Sequence, residues 1–228
     1  MIEYLFLDLD DTIMDFHQAE RVAISATLRD FGIDPTQAVL SRYHAINKWH
    51  WEQLELGAMT RQQVLEGRFQ VLFNELGVSS DPAAVTAAYA GNLSRGHWFL
   101  PGAEEALEKL YPKYRLFLAS NGTASVQKGR MTSANLYRFF EQVFVSQEIG
   151  FNKPAKAYFD ICFSRIPGFD PEKAMIVGDS LTSDIRGGNN AGIRTCWVNP
   201  SHQERDPAIC VDYEIEALAQ LPALLEAL

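Results

Sequence analysis

Short apolar segments that alternate with segments of helical periodicity constrain the fold of this chain more than any other feature. Five apolar runs have the length and composition of buried β-strands, and most are followed by a polar loop and a helical pattern. The predicted strands cover residues 4–9, 115–120, 142–146, 174–178 and 194–198. The predicted helices between and after them cover residues 103–110, 124–135, 155–164 and 183–191. This alternation predicts an α/β fold with a parallel sheet and helices on both faces.

Residues 15–96 interrupt the alternation, because they contain no convincing strand. Four amphipathic helices are predicted there, at residues 16–31, 35–56, 60–76 and 82–94, with glycine-containing breaks between them. The simplest interpretation is a helical domain, residues 15–96, inserted into a core domain formed by residues 1–14 and 97–228. An insert at this point of an α/β fold can close over the ends of the strands.

The composition argues against several classes of partner. The chain has 29 acidic and 20 basic side chains, so its formal net charge is −9, and such a surface repels nucleic-acid polymers and anionic membranes. No apolar run is long enough to span a bilayer, and the first residues do not form a signal peptide. The three cysteines, Cys162, Cys196 and Cys210, have no C-x-x-C spacing, which is typical of a reducing cytoplasm. We therefore expect a cytoplasmic protein that acts on a small molecule.

Polar side chains follow four of the predicted strands at the points where these strands end. The sequence DLDDT closes the first strand, SNG closes the second, KP follows the third and GDSLTSD closes the fourth. Because ligands of parallel α/β sheets bind beyond the carboxyl ends of the strands, we expect these groups to converge. They are Asp8, Asp10, Ser120, Lys153, Asp179 and Asp184. Together they have the composition of a phosphoryl-transfer site with a divalent metal.

The residue types indicate how such a site would work. Clustered carboxylates need a cation, and Mg²⁺ suits them better than zinc because no cysteine or histidine lies in these loops. Asp8 could attack a metal-bound phosphate and form an acyl-phosphate, while Ser120 and Lys153 hold the phosphoryl group. Asp10 points to the same side as Asp8 on an extended chain, so it could give a proton to the leaving oxygen and later take one from water.

The four motifs, in this order, resemble those of the haloacid dehalogenase superfamily, and specifically of its phosphatases. The motifs are D-x-D-x-T at residues 8–12, S-N-G at 120–122, K-P at 153–154 and G-D-x-x-x-x-D at 178–184. The resemblance covers the whole chain. It implies a Rossmann-like (Rossmannoid) parallel sheet with an inserted, all-helical cap domain of the C1 type. Because dehalogenases of this superfamily lack the second aspartate of the first motif, Asp10 indicates phosphate ester hydrolysis.

The resemblance also implies a role for each residue of the motifs. Asp8 would be the nucleophile and a Mg²⁺ ligand, and Asp10 the general acid/base, with its backbone carbonyl on the metal. Asp179 would ligate Mg²⁺, and Asp184 would orient the metal site. The residues implied in phosphate binding are Thr12, Ser120, Asn121, Gly122 and Lys153. Considered by itself, Asp184 could instead serve as the N-cap of the helix that follows.

A narrower resemblance lies in the inserted helices. The sequence AINKWHWEQLELGAMTRQQVLEGRF, at residues 45–69, is similar to the cap of bacterial pyrimidine 5′-nucleotidases, and DIRGGNNAGIRTCWVN, at 184–199, is similar to that group as well. Asn47 could then read a base edge, and either Trp49 or Trp51 could stack on a base, since residues two apart point to opposite sides of a helix. Packing or a subunit contact is an alternative for both tryptophans, and solvation for Asn47.

The sequence thus predicts a Mg²⁺-dependent phosphatase for small phosphorylated metabolites, with nucleoside 5′-monophosphates favoured, that works through an aspartyl-phosphate. Three alternatives stay open. A sugar-phosphate or phosphoglycolate phosphatase keeps the chemistry and changes the substrate. A phosphate-sensing module without turnover keeps the binding only, and a dehalogenase is the alternative that Asp10 argues against. Both a monomer and a homodimer are compatible with the sequence.

Overall fold

The structure, a computed structural model, describes residues 1–228 and divides into two units. One unit comprises residues 1–16 and 97–228 and contains a β-sheet with its surrounding helices. The other comprises residues 17–96 and contains helices only. None of the helices combines the length and the apolar character needed to cross a membrane.

Six parallel strands form a single sheet in the order β3-β2-β1-β4-β5-β6. The strands are β1 (Tyr4–Leu7), β2 (Arg115–Ser120), β3 (Gln142–Val145), β4 (Ala174–Gly178), β5 (Arg194–Val198) and β6 (Tyr213–Ile215). The five predicted strands are confirmed, with β1 and β3 ending one or two residues early. The sequence did not predict β6, which has three residues and buries only Ile215.

The strands read as continuous apolar runs because the sheet is covered on both faces. Leu5 and Leu7 of β1 lie in a core that includes Leu107 and Leu110 of a helix on one face. Side chains that alternate with them, such as Phe6, lie in the core of the opposite face with buried residues of another helix, among them Phe159. This two-sided burial confirms the predicted α/β architecture with helices on both faces.

The chain forms ten α-helices. In chain order they are α1 (Phe16–Asp30), α2 (Gln37–Glu55), α3 (Arg61–Glu75), α4 (Pro82–Leu93), α5 (Ala103–Leu110), α6 (Ala124–Ser133), α7 (Ser146–Ile149), α8 (Lys156–Ser164), α9 (Arg186–Ala191) and α10 (Leu221–Glu226). Short 3₁₀ turns lie at Leu136–Phe139, Pro171–Lys173 and Leu218–Gln220, and a π-helical turn at Leu181–Ile185.

Three helices of the helical unit begin with ordinary capping chemistry. The side chain of Thr36 accepts a hydrogen bond at the start of α2, and Thr60 forms a capping box with Gln63 at the start of α3. Asp81 caps α4, which then opens on a proline. Inside the unit, the rings of Tyr43, Phe69 and Tyr89 pack against one another. The four helices predicted in this stretch are all present.

Candidate active site

The sheet order explains how distant parts of the chain meet. Because β1 lies between β2 and β4, the loops that follow these three strands lie side by side at one edge of the sheet. The backbone N–H of Asp8 donates to the carbonyl of Val177, so Asp8 continues the pairing of β1 with β4. Asp8, the residues after Ser120 and those after Gly178 therefore converge as the sequence predicts.

Lys153 lies at the centre of this edge and is almost completely buried. Its Nζ donates to Asp8 Oδ1, to Asp184 Oδ1 and to the carbonyl of Ala119, each at 2.6 Å. These acceptors use all three donors of an ammonium group. Burial by itself lowers the pKa of Lys153, but the carboxylates of Asp184 and Asp8 more than offset this, so the pKa is raised and Lys153 stays charged.

Asn121 holds the backbone of Lys153 in place. Its Nδ2 donates to the Lys153 carbonyl and its Oδ1 accepts from the Lys153 N–H, both at 2.9 Å. This reciprocal pair joins the loop after β2 to the loop before α8. The Asn121 side chain therefore positions Lys153, and the phosphate contact of Asn121 stays a prediction.

Three carboxylates surround the lysine. Ligand oxygens of Asp8, Asp179 and Asp184 all lie within 4.8 Å of one another. Burial, followed by the neighbouring carboxylates, raises the pKa of Asp8 to about 8 despite Lys153, and raises the pKa of Asp179 well above its ordinary value. When all three carboxylates are ionised, as metal binding requires, they and the one ammonium leave two negative charges. The cluster offers oxygen ligands and the charge that fits one divalent cation such as Mg²⁺.

Asp184 is tied into this cluster rather than into the end of a helix. Its Oδ1 accepts from Lys153 and its Oδ2 accepts from the backbone N–H of Ser180 at 3.2 Å. The N-cap of the π-helical turn is Ser180, whose Oγ accepts from the Ser183 N–H. The alternative that Asp184 serves as the N-cap is therefore wrong. A Cβ built on Gly178 would collide with the Asp184 carboxylate, which explains the glycine that opens the motif.

A tight turn follows Asp8 and sets the direction of Asp10. Asp11 has a left-handed backbone, with φ of 54°, and its Oδ1 accepts from the Phe16 N–H at 2.9 Å. This bond connects the turn to the start of α1. Thr12 lies within the turn and is fully buried, and its hydroxyl has no hydrogen-bond partner. The phosphate contact of Thr12 stays a prediction.

Asp10 is held by two residues of α6 that the sequence analysis missed. Arg130 Nη1 donates to Asp10 Oδ1, and Gln127 Nε2 donates to Asp10 Oδ2 at 2.7 Å. The Arg130 side chain is 1% exposed and the Asp10 side chain 28%, so the carboxylate is fixed from the protein side and stays accessible. A signal was present, because Gln127 and Arg130 share the buried face of α6 with Val126 and Met131.

Ser120 lies beside this pair at the end of β2. Its Oγ accepts from the Gly122 N–H at 3.0 Å and from Gln127 Nε2 at 2.9 Å. A hydroxyl oxygen has two lone pairs, so its hydrogen is left as a donor. The geometry suits the predicted contact of Ser120 with a phosphoryl oxygen.

In the helical unit, the predicted residues occupy different environments. Asn47 is buried, where its Nδ2 donates to Glu20 Oε1 at 2.6 Å and its Oδ1 accepts from Arg68 Nη1 at 2.7 Å. Trp49 is 49% exposed, whereas Trp51 is half-buried under the guanidinium of Arg61. Asn47 is thus not a solvated helix residue. The sequence analysis did not identify Glu20 or Arg68, and a role of Asn47, Trp49 or Trp51 in substrate binding stays a prediction.

Comparisons with known proteins extend along the chain. The family model of haloacid dehalogenase-like hydrolases matches residues 5–198. Pyrimidine 5′-nucleotidase PynA of Streptococcus pneumoniae is 36% identical over 96% of this chain and 93% of its own length. Pyrimidine 5′-nucleotidase YjjG of Escherichia coli is 29% identical over 98% and 97%. The crystal structure of the hydrolase YfnB of Bacillus subtilis bound to magnesium, which reveals interdomain movement, matches with a TM-score of 0.94 and 39% identity, over 98% of both chains.

Proposed function

The chain belongs to the haloacid dehalogenase-like hydrolases, and we propose that it is a Mg²⁺-dependent phosphatase for small phosphate monoesters, with pyrimidine nucleoside 5′-monophosphates as preferred substrates. One observation carries the chemistry. Two aspartates follow β1 and have different partners. Asp8 accepts a hydrogen bond from the ammonium of Lys153, whereas Asp10 accepts hydrogen bonds from Gln127 and Arg130. This is the division between a nucleophile and an acid/base.

The reaction proceeds in two displacements at one phosphorus atom. An oxygen of Asp8 forms a bond to phosphorus while the ester P–O bond breaks, and Asp10 gives its proton to the leaving oxygen. In the second step Asp10 takes a proton from water, which attacks phosphorus and releases Asp8 and inorganic phosphate. Lys153 remains bonded to Asp8 throughout, so it stabilises the carboxylate before and after transfer. The hydroxyl of Ser120 donates to a phosphoryl oxygen.

The carboxylate cluster fits Mg²⁺ in charge and in ligand type. Asp8, Asp179 and the backbone carbonyl of Asp10 would hold the ion, and Asp184 would orient the site through Lys153 and Ser180. When bound, Mg²⁺ neutralises the excess negative charge and allows a phosphate group to approach.

Magnesium is expected to raise the melting temperature more at about pH 8 than at about pH 6, because the carboxylates must lose protons to bind it. Burial raises the pKa of Asp8 to about 8 from 3.8, so the folded metal-free protein holds a proton that the unfolded chain releases. The stability due to this group is complete below the unfolded pKa and is lost as the pH rises through the folded pKa. Thermal melts with Mg²⁺ and with EDTA at both pH values measure this.

The Asp179→Asn variant is the control for this experiment, since it keeps the size of the side chain and removes a ligand charge. It should lose most of the Mg²⁺-induced shift at either pH. A shift of the same size at both pH values in the unsubstituted protein would contradict the assignment of the cluster as the metal site.

The preference for pyrimidine nucleotides rests on the two nucleotidases and on the similarity of residues 45–69 to such caps. We propose that residues 17–96 act as the cap and select the substrate. The buried set of Glu20, Asn47 and Arg68 gives this unit a polar interior with hydrogen-bonding groups. A sugar phosphate or phosphoglycolate is the second candidate, because the core chemistry is the same for every small monoester.

A substrate panel tests the proposal. Phosphate release is measured with and without Mg²⁺ from pyrimidine and purine 5′-monophosphates, sugar phosphates and phosphoglycolate. We expect Mg²⁺-dependent release, fastest with the pyrimidine nucleotides. Preference for a sugar phosphate or phosphoglycolate would refute the assignment of the substrate, and no release from any monoester would refute the phosphatase assignment.

A further inference from the structure

We propose that Gln127 and Arg130 are positioning residues. Through the single side-chain amide of Gln127, they fix the orientation of the acid/base Asp10 and of the Ser120 hydroxyl. The inference rests on the proposed phosphatase function. It gives α6 a role in the reaction, although its residues lie outside the four sequence motifs.

The amide of Gln127 is used completely. Both hydrogens of its Nε2 are donated, one to Asp10 Oδ2 at 2.7 Å and one to Ser120 Oγ at 2.9 Å. Its Oε1 accepts from Arg130 Nη1 at 3.1 Å. A guanidinium can only donate, so Arg130 selects the orientation in which the Gln127 oxygen faces it and the nitrogen faces the active site.

This orientation fixes the direction of the Ser120 hydroxyl. Both lone pairs of its Oγ are occupied, by the Gly122 N–H and by Gln127, and only the hydrogen is left to donate. Ser120 is thereby held as a donor, which is what an anionic phosphoryl oxygen requires.

The same amide and guanidinium fix Asp10. Gln127 holds one carboxylate oxygen and Arg130 holds the other, so the side chain cannot turn away from the position in which it meets the leaving group. An acid/base has to lie within hydrogen-bond reach of the reacting oxygen in order to act, and small displacements cost rate.

Two further observations favour a functional role over packing. Gln127 and Arg130 are 2% and 0% exposed, on a helix face that is otherwise apolar, and burying such polar groups is costly. The chain also clears space for the contact. A Cβ on Gly122 would collide with the Gln127 side chain. The glycine of the S-N-G motif is therefore required for the Gln127 side chain to pass next to this position.

The test compares two leaving groups in the Gln127→Met variant by rapid quench with Mg²⁺ present. A nucleoside 5′-monophosphate needs a proton on its leaving alkoxide, whereas p-nitrophenyl phosphate does not. We expect the first turnover of the nucleotide to slow by about 100-fold and that of the aryl ester much less. Because Asp10 also takes the proton from water, hydrolysis of the aspartyl-phosphate should slow as well. Nitrophenol is released before that step, so it should appear as a burst close to one equivalent per active site.

Two variants complete the experiment. Gln127→Glu keeps the shape and the bond from Arg130 but has no hydrogen to donate, so it should show the same selectivity if Gln127→Met does not fold. Lys128→Met, at an exposed position of the same helix, should behave like the unsubstituted protein. Equal slowing of both substrates, or no slowing, in a protein that is otherwise an active phosphatase would overturn the positioning role alone. An unsubstituted protein without turnover would overturn this role together with the proposed function.

Discussion

Phosphate release is expected to fall by about 10³-fold or more when Asp8 is replaced with asparagine, while the protein stays folded. The amide has no nucleophilic oxygen that can form the acyl-phosphate, but its carbonyl can still accept from Lys153 Nζ. Burial raises the pKa of Asp8 to about 8, so the charged form is disfavoured in the metal-free protein and a neutral side chain of the same shape is tolerated. The measurement is phosphate release with Mg²⁺, together with a thermal melt in EDTA.

The matched control is Asp160→Asn, which makes the same chemical change at an exposed carboxylate of α8 paired with Lys156. This variant should retain full activity, because a surface pair contributes little. Turnover of Asp8→Asn at the rate of the unsubstituted protein would exclude Asp8 as the nucleophile. Loss of the folded state in Asp8→Asn would show that the carboxylate is required for stability.

Replacing Lys153 with methionine is expected to produce the largest loss of stability among these variants. The side chain fills a similar volume, but Asp8 and Asp184 lose their common cation in a site where the lysine is 1% exposed. Removing one partner of a buried ion pair costs about 3–5 kcal/mol. We expect the free energy of unfolding in EDTA to fall by this amount, and Mg²⁺ to recover part of it because it supplies positive charge to the same carboxylates.

Urea denaturation with and without Mg²⁺ measures this loss, and phosphate release should also be lost. The control Lys156→Met removes a lysine whose side chain is 63% exposed and paired with Asp160 across one turn. Its effect should stay below about 0.5 kcal/mol. If the midpoints of Lys153→Met and Lys156→Met were the same, Lys153 would not hold the carboxylate cluster together.

Most of the sheet and the charged centre of the site were predictable from local patterns. Buried parallel strands are continuous apolar runs, and the residues that close them converge because the strands end at one edge of the sheet. Asp8, Lys153 and Asp184 meet as the motif order implies. By contrast, β6 is too short, with three residues, to give a periodic signal.

The partners of Asp10 were not predictable in the same way. Gln127 and Arg130 lie 117 and 120 residues from Asp10, and helical periodicity shows only that they share a buried face. Their position on an apolar stripe is a signal that polar groups are buried, but it does not reveal which acceptor they reach. For the same reason the sequence did not connect Asn47 with Glu20 or Arg68, which are 27 and 21 residues away.

Two of the predicted phosphate ligands have side chains whose directions could not be predicted from the motifs. A short motif fixes the order of residues along the chain and leaves the direction of each side chain open. Asn121 turns toward the backbone of Lys153, and Thr12 turns into the protein. Both side chains lie within the loops of the site, and contact with phosphate stays a prediction for each of the residues named.

The covalent step is tested most directly by rapid acid quench of the protein during turnover of a ³²P-labelled nucleoside 5′-monophosphate, followed by peptide mapping. The aspartyl-phosphate mechanism predicts label on the peptide that contains Asp8, in an amount that approaches the active-site concentration when the second step is slower than the first. Asp8→Asn should trap none. Release of labelled phosphate without label on Asp8, or with label on another residue, would contradict the mechanism.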